Sequence, residues 1–230
     1  MPMRDNYNAP PVNPLPAVVW LLALPIIAVE AVVALGASGI VGGGAGAGWR
    51  LDAWQRFAFS PDLMRAMIET QTFPWQGMIR LVTYPLVHAT FLHALMAVVI
   101  LLALGKMVGE VFRPWAVAAV FLGSAVAGAL AYTALPGVRA PLIGAYPADY
   151  GLVGAFTFLL WTRLATTGGN RYRAFTLIGL LLGIQLVFGL LFGGGYEWVA
   201  DLAGFATGFL ISFAVSPGGW ARVRDMVRRR

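Results

Sequence analysis

The sequence predicts an all-α membrane protein, a bundle of six transmembrane helices with one long membrane-associated loop after the first. Composition is the first reason. Hydrophobic residues make up 59% of the 230 and charged residues only 11%, whereas a soluble domain carries roughly 25% charged residues. A soluble core of this size has no room for so many apolar side chains, but lipid tails accept them. The second reason is their distribution into six runs, 15–35, 82–104, 114–135, 147–164, 175–192 and 198–215. Most reach the ~17–25 residues that cross a bilayer. Hydrocarbon leaves no partner for a free backbone amide, so the runs must be helical, and their lack of alternation excludes barrel strands.

The first run, 15–35, follows a segment in which one Arg is balanced by one Asp, and it is long for a signal-peptide core. It is expected to be a retained helix. Next comes 36–81, too long for an ordinary connection. It opens on the glycine-rich stretch 42–48 and continues with Trp49, Trp54, Phe57, Phe59, Phe73 and Trp75. So aromatic a segment is not a disordered one. An element half-sunk at the headgroup level is expected, with 63–70 as a short amphipathic helix. No internal repeat is evident, and no pair of spans forms an inverted repeat with broken helices, which argues against a transporter.

The net charge of +6 comes from basic residues clustered between apolar runs, a membrane-topology pattern rather than a nucleic-acid surface. With the N-terminus cytoplasmic, that side receives eleven Lys and Arg residues and the opposite side five (Arg50, Arg56, Arg65, Arg80 and Arg139). Both termini are therefore expected in the cytoplasm. The chain divides into an N-terminal segment 1–14, a membrane domain 15–216 and a basic tail 217–230. The tail holds Arg222, Arg224, Arg228, Arg229 and Arg230, which favour anionic lipid. With no cysteine, disulfides and thiolate metal sites are excluded.

Ionisable residues within spans are costly and call for a reason. His88 and His93 fall in the second run, Asp149 in the fourth, Asp201 in the sixth and Glu30 in the first. By themselves they are compatible with a metal site, a carboxylate pair sharing a proton, or a hydrogen-bond network joining helices at ~0.6–2 kcal/mol per bond. The two histidines are five apart, not the four that would place two ligands on one helical face.

The order of motifs is more specific. The stretch from Leu81 through Thr83, His88 and His93 resembles the start of the second span of rhomboid intramembrane serine proteases, where family members carry Trp-Arg, Thr and His-x4-His-x3-Asn. Gly144-Ala-Tyr146-Pro147-Ala-Asp149-Tyr-Gly151-Leu-Val-Gly154-Ala-Phe is similar to their Gly-Ala-Ser-Gly-Ala-x-x-Gly-Leu-x-Gly-Ala-Phe. Asp201-Leu-Ala-Gly204-Phe-Ala-Thr-Gly208 resembles their His-x-x-Gly-x-x-x-Gly. The resemblance covers roughly 15–215 and implies the rhomboid fold, with these motifs on spans two, four and six.

It also locates the departures. Rhomboids cleave transmembrane substrates with a Ser–His dyad and hold the oxyanion with a His, an Asn and backbone amides. Here the nucleophile position is Tyr146, the base position Asp201, the oxyanion Asn position Ala97, and the glycine after the serine is Pro147. The oxyanion His is matched by His93, and Ile79 stands for the Trp before Arg80. A phenol with pKa near ~10 is a weak nucleophile without a base, and a carboxylate is a feeble base toward it. An inactive rhomboid, a pseudoprotease without cofactor or metal, is the expectation. His88, Asp149, Gly151, Gly154, Gly204 and Gly208 are then structural, and a hydrogen bond from the Tyr146 hydroxyl to Asp201 is expected to replace the Ser–His link.

Inactive members of that superfamily, such as derlins and iRhoms, bind membrane-protein clients. The resemblance implies that this chain binds transmembrane segments of other integral membrane proteins, alongside lipid and not nucleic acid, for assembly, stability or quality control. Entry is expected beside the fifth span, where Gly179, Gly183, Gly189, Gly193, Gly194 and Gly195 loosen packing. The alternatives are a fixed accessory subunit of a larger membrane complex and an intramembrane protease with residual activity through Asp149 and Asp201. The short loops and compact plan point to a bacterial inner membrane.

Overall fold

Among the residues that the computed structural model describes, 14–192 and 194–219, six long helices carry the apolar runs and five short ones fill the segment between the first two. The order is α1 (Ala17–Ala37), α2 (Gly43–Gly46), α3 (Trp49–Phe57), α4 (Pro61–Thr70), α5 (Trp75–Met78), α6 (Arg80–Thr83), a 3-10 turn (Tyr84–Leu86), α7 (Phe91–Gly109) and α8 (Pro114–Thr133). Then follow α9 (Tyr146–Thr166), a second 3-10 turn (Arg171–Phe175), α10 (Thr176–Phe192) and α11 (Glu197–Val215). The basic tail with Arg222, Arg224, Arg228, Arg229 and Arg230 lies outside the described residues, as does Gly193.

Four of the long helices, α1, α7, α8 and α11, are long and apolar enough to cross a membrane. The other two differ from the expected six for separate reasons. α10 has 17 residues, and α9 carries Asp149 and Arg163 along its 21. α9 is the innermost helix: every residue from Pro147 to Ala155 is buried, so Asp149 faces protein rather than lipid, while Arg163 near its far end is exposed. Outer helices show the reverse pattern. Leu21 and Leu24 on α1, Leu92 and Val99 on α7 and Leu210 on α11 are exposed, while Ala116, Ser124, Ala125, Gly128 and Ala129 of α8 face inward. Small residues inside and large apolar ones outside is how a bundle packs when lipid is the solvent.

The second apolar run needs a correction. A helix expected over 82–104 begins only at Phe91. Pro85 sits in the 3-10 turn, Val87 is extended, and Thr90 caps α7 by accepting from the His93 amide at 3.1 Å. His88 therefore lies in the linker ahead of the helix, not inside a span.

The long loop is folded and clasped to the bundle by arginines. α4 starts on Ser60, whose hydroxyl accepts from Leu63 N, and buries Met64 and Met67. From its exposed side Arg65 reaches the end of α8, where Nε donates to Thr133 O at 3.0 Å, Nη2 to Leu135 O at 2.7 Å and Nη1 to Val138 O at 2.9 Å. Thr133 O is one of the carbonyls that the end of α8 leaves without helical partners, and Leu135 and Val138 lie in the chain just beyond it. Arg80 does the same for α3, donating to Gln55 O at 2.6 Å and Ala58 O at 3.0 Å. A two-bond bridge between Phe59 and Leu142 (3.0 and 2.9 Å) joins the loop to the chain ahead of α9. Arg65→Leu is expected to cost about 2–3 kcal/mol, read as a lower melting temperature in detergent and earlier protease cleavage of the loop. Arg65→Lys should recover little, because an ammonium cannot span three diverging carbonyls; a lysine variant melting with the parent would refute the clasp.

Candidate functional site

The three motifs lie on neighbouring helices, with the start of α7 against the start of α9 and α9 in turn against the first half of α11. The Thr90 cap sets the first turn of α7, which carries His93. Its Nδ1 accepts from Ala89 N at 3.1 Å, so in the neutral ring the donor is Nε2. Ala97 lies one turn further along, fully buried and with no polar atom to offer.

His88 ties the loop to this place. Its carbonyl accepts from Arg50 Nη1 at 2.9 Å and from Trp54 Nε1 at 3.1 Å, and its Nε2 accepts from Ala145 N at 3.3 Å. Arg50 in turn forms a two-bond ion pair with Glu30 of α1, at 2.7 and 3.0 Å. Gly144, with φ +92°, forms the wall next to the histidines. A Cβ there would stand 2.9 Å from His93 Cε1, so both the backbone angle and the space require glycine.

α9 opens on Tyr146. The ring of Tyr146 stacks on His93 with centroids 4.9 Å apart and planes 14° from parallel, and His88 meets His93 edge-on at 5.2 Å. Pro147 follows in the first turn, where a missing N–H costs the helix nothing but removes a backbone donor from the pocket. Asp201, 2% exposed, faces in from α11.

The expected Tyr146–Asp201 hydrogen bond is not formed. Asp201 Oδ2 accepts from Gln185 Nε2 of α10 at 2.6 Å, and Gln185 Oε1 accepts from the Tyr150 hydroxyl at 3.4 Å. The polar link between α9 and α11 thus runs through α10, and Tyr146 is held by its ring instead of its hydroxyl. Gln185 was legible as the one amide in an apolar helix, yet nothing in the sequence named its partner. Asp149 is fully buried, and both its carboxyl oxygens lack a hydrogen-bond partner among the described residues, as do Ser124 Oγ and Thr157 Oγ1. No group of three or more His, Asp or Glu side chains among the described residues is placed to hold a metal ion.

Glycines bring the helices together. An added Cβ at Gly204 would strike the carbonyl of Pro147, one at Gly208 the carbonyl of Gly151, and one at Gly154 the carbonyl of Phe205. Gly151 itself faces Ser124 of α8. α9 and α11 therefore touch backbone to backbone directly beneath Tyr146 and Asp201, the close approach that small residues permit in membrane bundles.

This bundle, with its motifs on α7, α9 and α11, matches the rhomboid domain over residues 75–218. The chain belongs to the rhomboid family. Its match begins at Trp75, so α1 and most of the loop lie outside it, while every position of the three motifs lies within it. No individual curated protein matches the chain. The rhomboid family is generally one of proteases, which makes the chemistry at Tyr146 and Asp201 the deciding question for this member.

Proposed function

We propose that this rhomboid-family chain is a pseudoprotease that binds transmembrane segments of other membrane proteins, serving their assembly, stability or quality control. The observation that carries the reading is the stacking of Tyr146 on His93. At the position resembling the family's nucleophile stands a phenol whose hydroxyl has no hydrogen-bonded base among the described residues, and its ring stacks on the histidine that the resemblance assigns to the oxyanion. Asp201, at the base position, is engaged by Gln185. Loss of an oxyanion donor alone costs ~10²–10³ in rate, and here nucleophile and base are replaced as well. A carboxylate dyad of Asp149 and Asp201 gains no support, since no hydrogen bond joins the two: Asp201 is held by Gln185, and neither carboxyl oxygen of Asp149 has a partner among the described residues.

Client binding beside α10 is supported by that helix's thin packing. Added Cβ atoms at Gly179 and Gly183 would meet nothing within 4 Å, and Leu180, Ile184 and Val187 are exposed. In this reading all six long helices cross a bacterial inner membrane with both termini cytoplasmic, as the Lys and Arg count favours.

In liposomes containing a fluorogenic transmembrane substrate, the parent is expected to release no product and to remain unlabelled by a fluorophosphonate. Tyr146→Ser combined with Asp201→His is expected to give measurable cleavage. Cleavage by the parent would overturn the pseudoprotease reading. Recovery of one partner in constant stoichiometry after mild-detergent purification would instead favour a fixed accessory subunit.

A further inference from the structure

Away from this site, α1 and α3 leave between them an open groove of about 480 Å³, within the ~300–1,000 Å³ range of small-ligand sites. One wall is apolar, formed by Val29, Val32 and Val33 of α1, and Phe57 also lines the groove. The other wall, on α3, carries Asp52 and Arg56. An acid four residues ahead of a base on one helix normally pairs with it. These two do not pair. Both are exposed, both line the groove, and neither makes a side-chain hydrogen bond or ion pair among the described residues.

We propose that this groove seats one phospholipid with an ethanolamine headgroup. The chemistry selects the occupant. Arg56 offers a planar guanidinium to the phosphate, and Asp52 accepts from the primary ammonium two carbons away. That spacing suits side chains one helical turn apart, ~5–6 Å between their Cβ atoms. The acyl chains then run down the valine wall of α1. A choline headgroup has no N–H to give Asp52, and a glycerol headgroup leaves that carboxylate facing a net anion. A zwitterionic donor headgroup answers both charges. None of the residues lining this groove is one of the motif positions His93, Ala97, Tyr146 or Asp201.

The test is native mass spectrometry of the delipidated full chain in detergent, offered equal amounts of phosphatidylethanolamine, phosphatidylcholine and phosphatidylglycerol. One retained lipid is expected, with ethanolamine favoured about fivefold over the other two, the scale of an interfacial charge pair. Arg56→Gln should lower retention of all three. Asp52→Asn should remove the preference for ethanolamine over glycerol. Both positions are exposed, and the parent's headgroup preference is readable without any variant. Retention that ignores the headgroup, a preference for the glycerol lipid, or variants that hold ethanolamine lipid as the parent does would each overturn the proposal.

Discussion

Gly204→Val and Gly208→Val are each expected to cost about 3 kcal/mol or more, and to shift the protein toward aggregated or early-melting species in detergent. The first Cβ would land on the Pro147 carbonyl and the second on the Gly151 carbonyl. Neither obstacle is the end of a flexible side chain, so the only relief is to part α9 from α11. Overpacking a close-packed interior typically costs ~1–3 kcal/mol even where side chains give way, and here backbone must move. Gly179→Val supplies the control, because nothing stands within 4 Å of a Cβ at that position. Thermal melting and size-exclusion profiles of the three variants check the expectation. A Gly204→Val protein that melts with the parent would show that the helices do not meet as described.

Arg50→Met should be nearly as damaging for a different reason. Glu30 is 7% exposed within α1, and Arg50 satisfies both of its carboxyl oxygens while holding the His88 carbonyl. Removing the arginine strands a buried acid, which costs about 3 kcal/mol, the low end for such pairs because Arg50 keeps some solvent contact. Glu30→Leu with Arg50→Met should regain much of the loss but not all, since the His88 carbonyl loses one of its two donors and keeps only Trp54 Nε1. A double-mutant cycle on melting measures the coupling. Additive losses would mean that the pair contributes no more than two independent side chains.

The parts of the fold legible in the sequence were those fixed by solvent and local chemistry. Apolar runs must become helices in lipid whatever their neighbours, which is why α8 begins at Pro114 where its run does. The start of α7 was misplaced although Pro85 and Thr90 mark it locally, because hydropathy continues unbroken through Leu86 and Val87. Arg65 and Arg80 were read as topology charges; that they close helix ends depends on which carbonyls the fold leaves open. At the site, motif order located His93, Ala97, Tyr146 and Asp201. The choice of Gln185 over Tyr146 as partner of Asp201 is a matter of tertiary distance, and no spacing within one helix encodes it.

The seam between α9 and α11 has a bearing on ancestry. Its contacts are made by main chain against main chain, starting at Pro147 and Gly204, one residue past Tyr146 and three past Asp201. The backbone contacts themselves use neither of those side chains. A lineage could therefore exchange both residues in separate steps while the bundle stayed folded at each one. On the pseudoprotease reading proposed above, such exchange leaves the architecture as a frame open to other use.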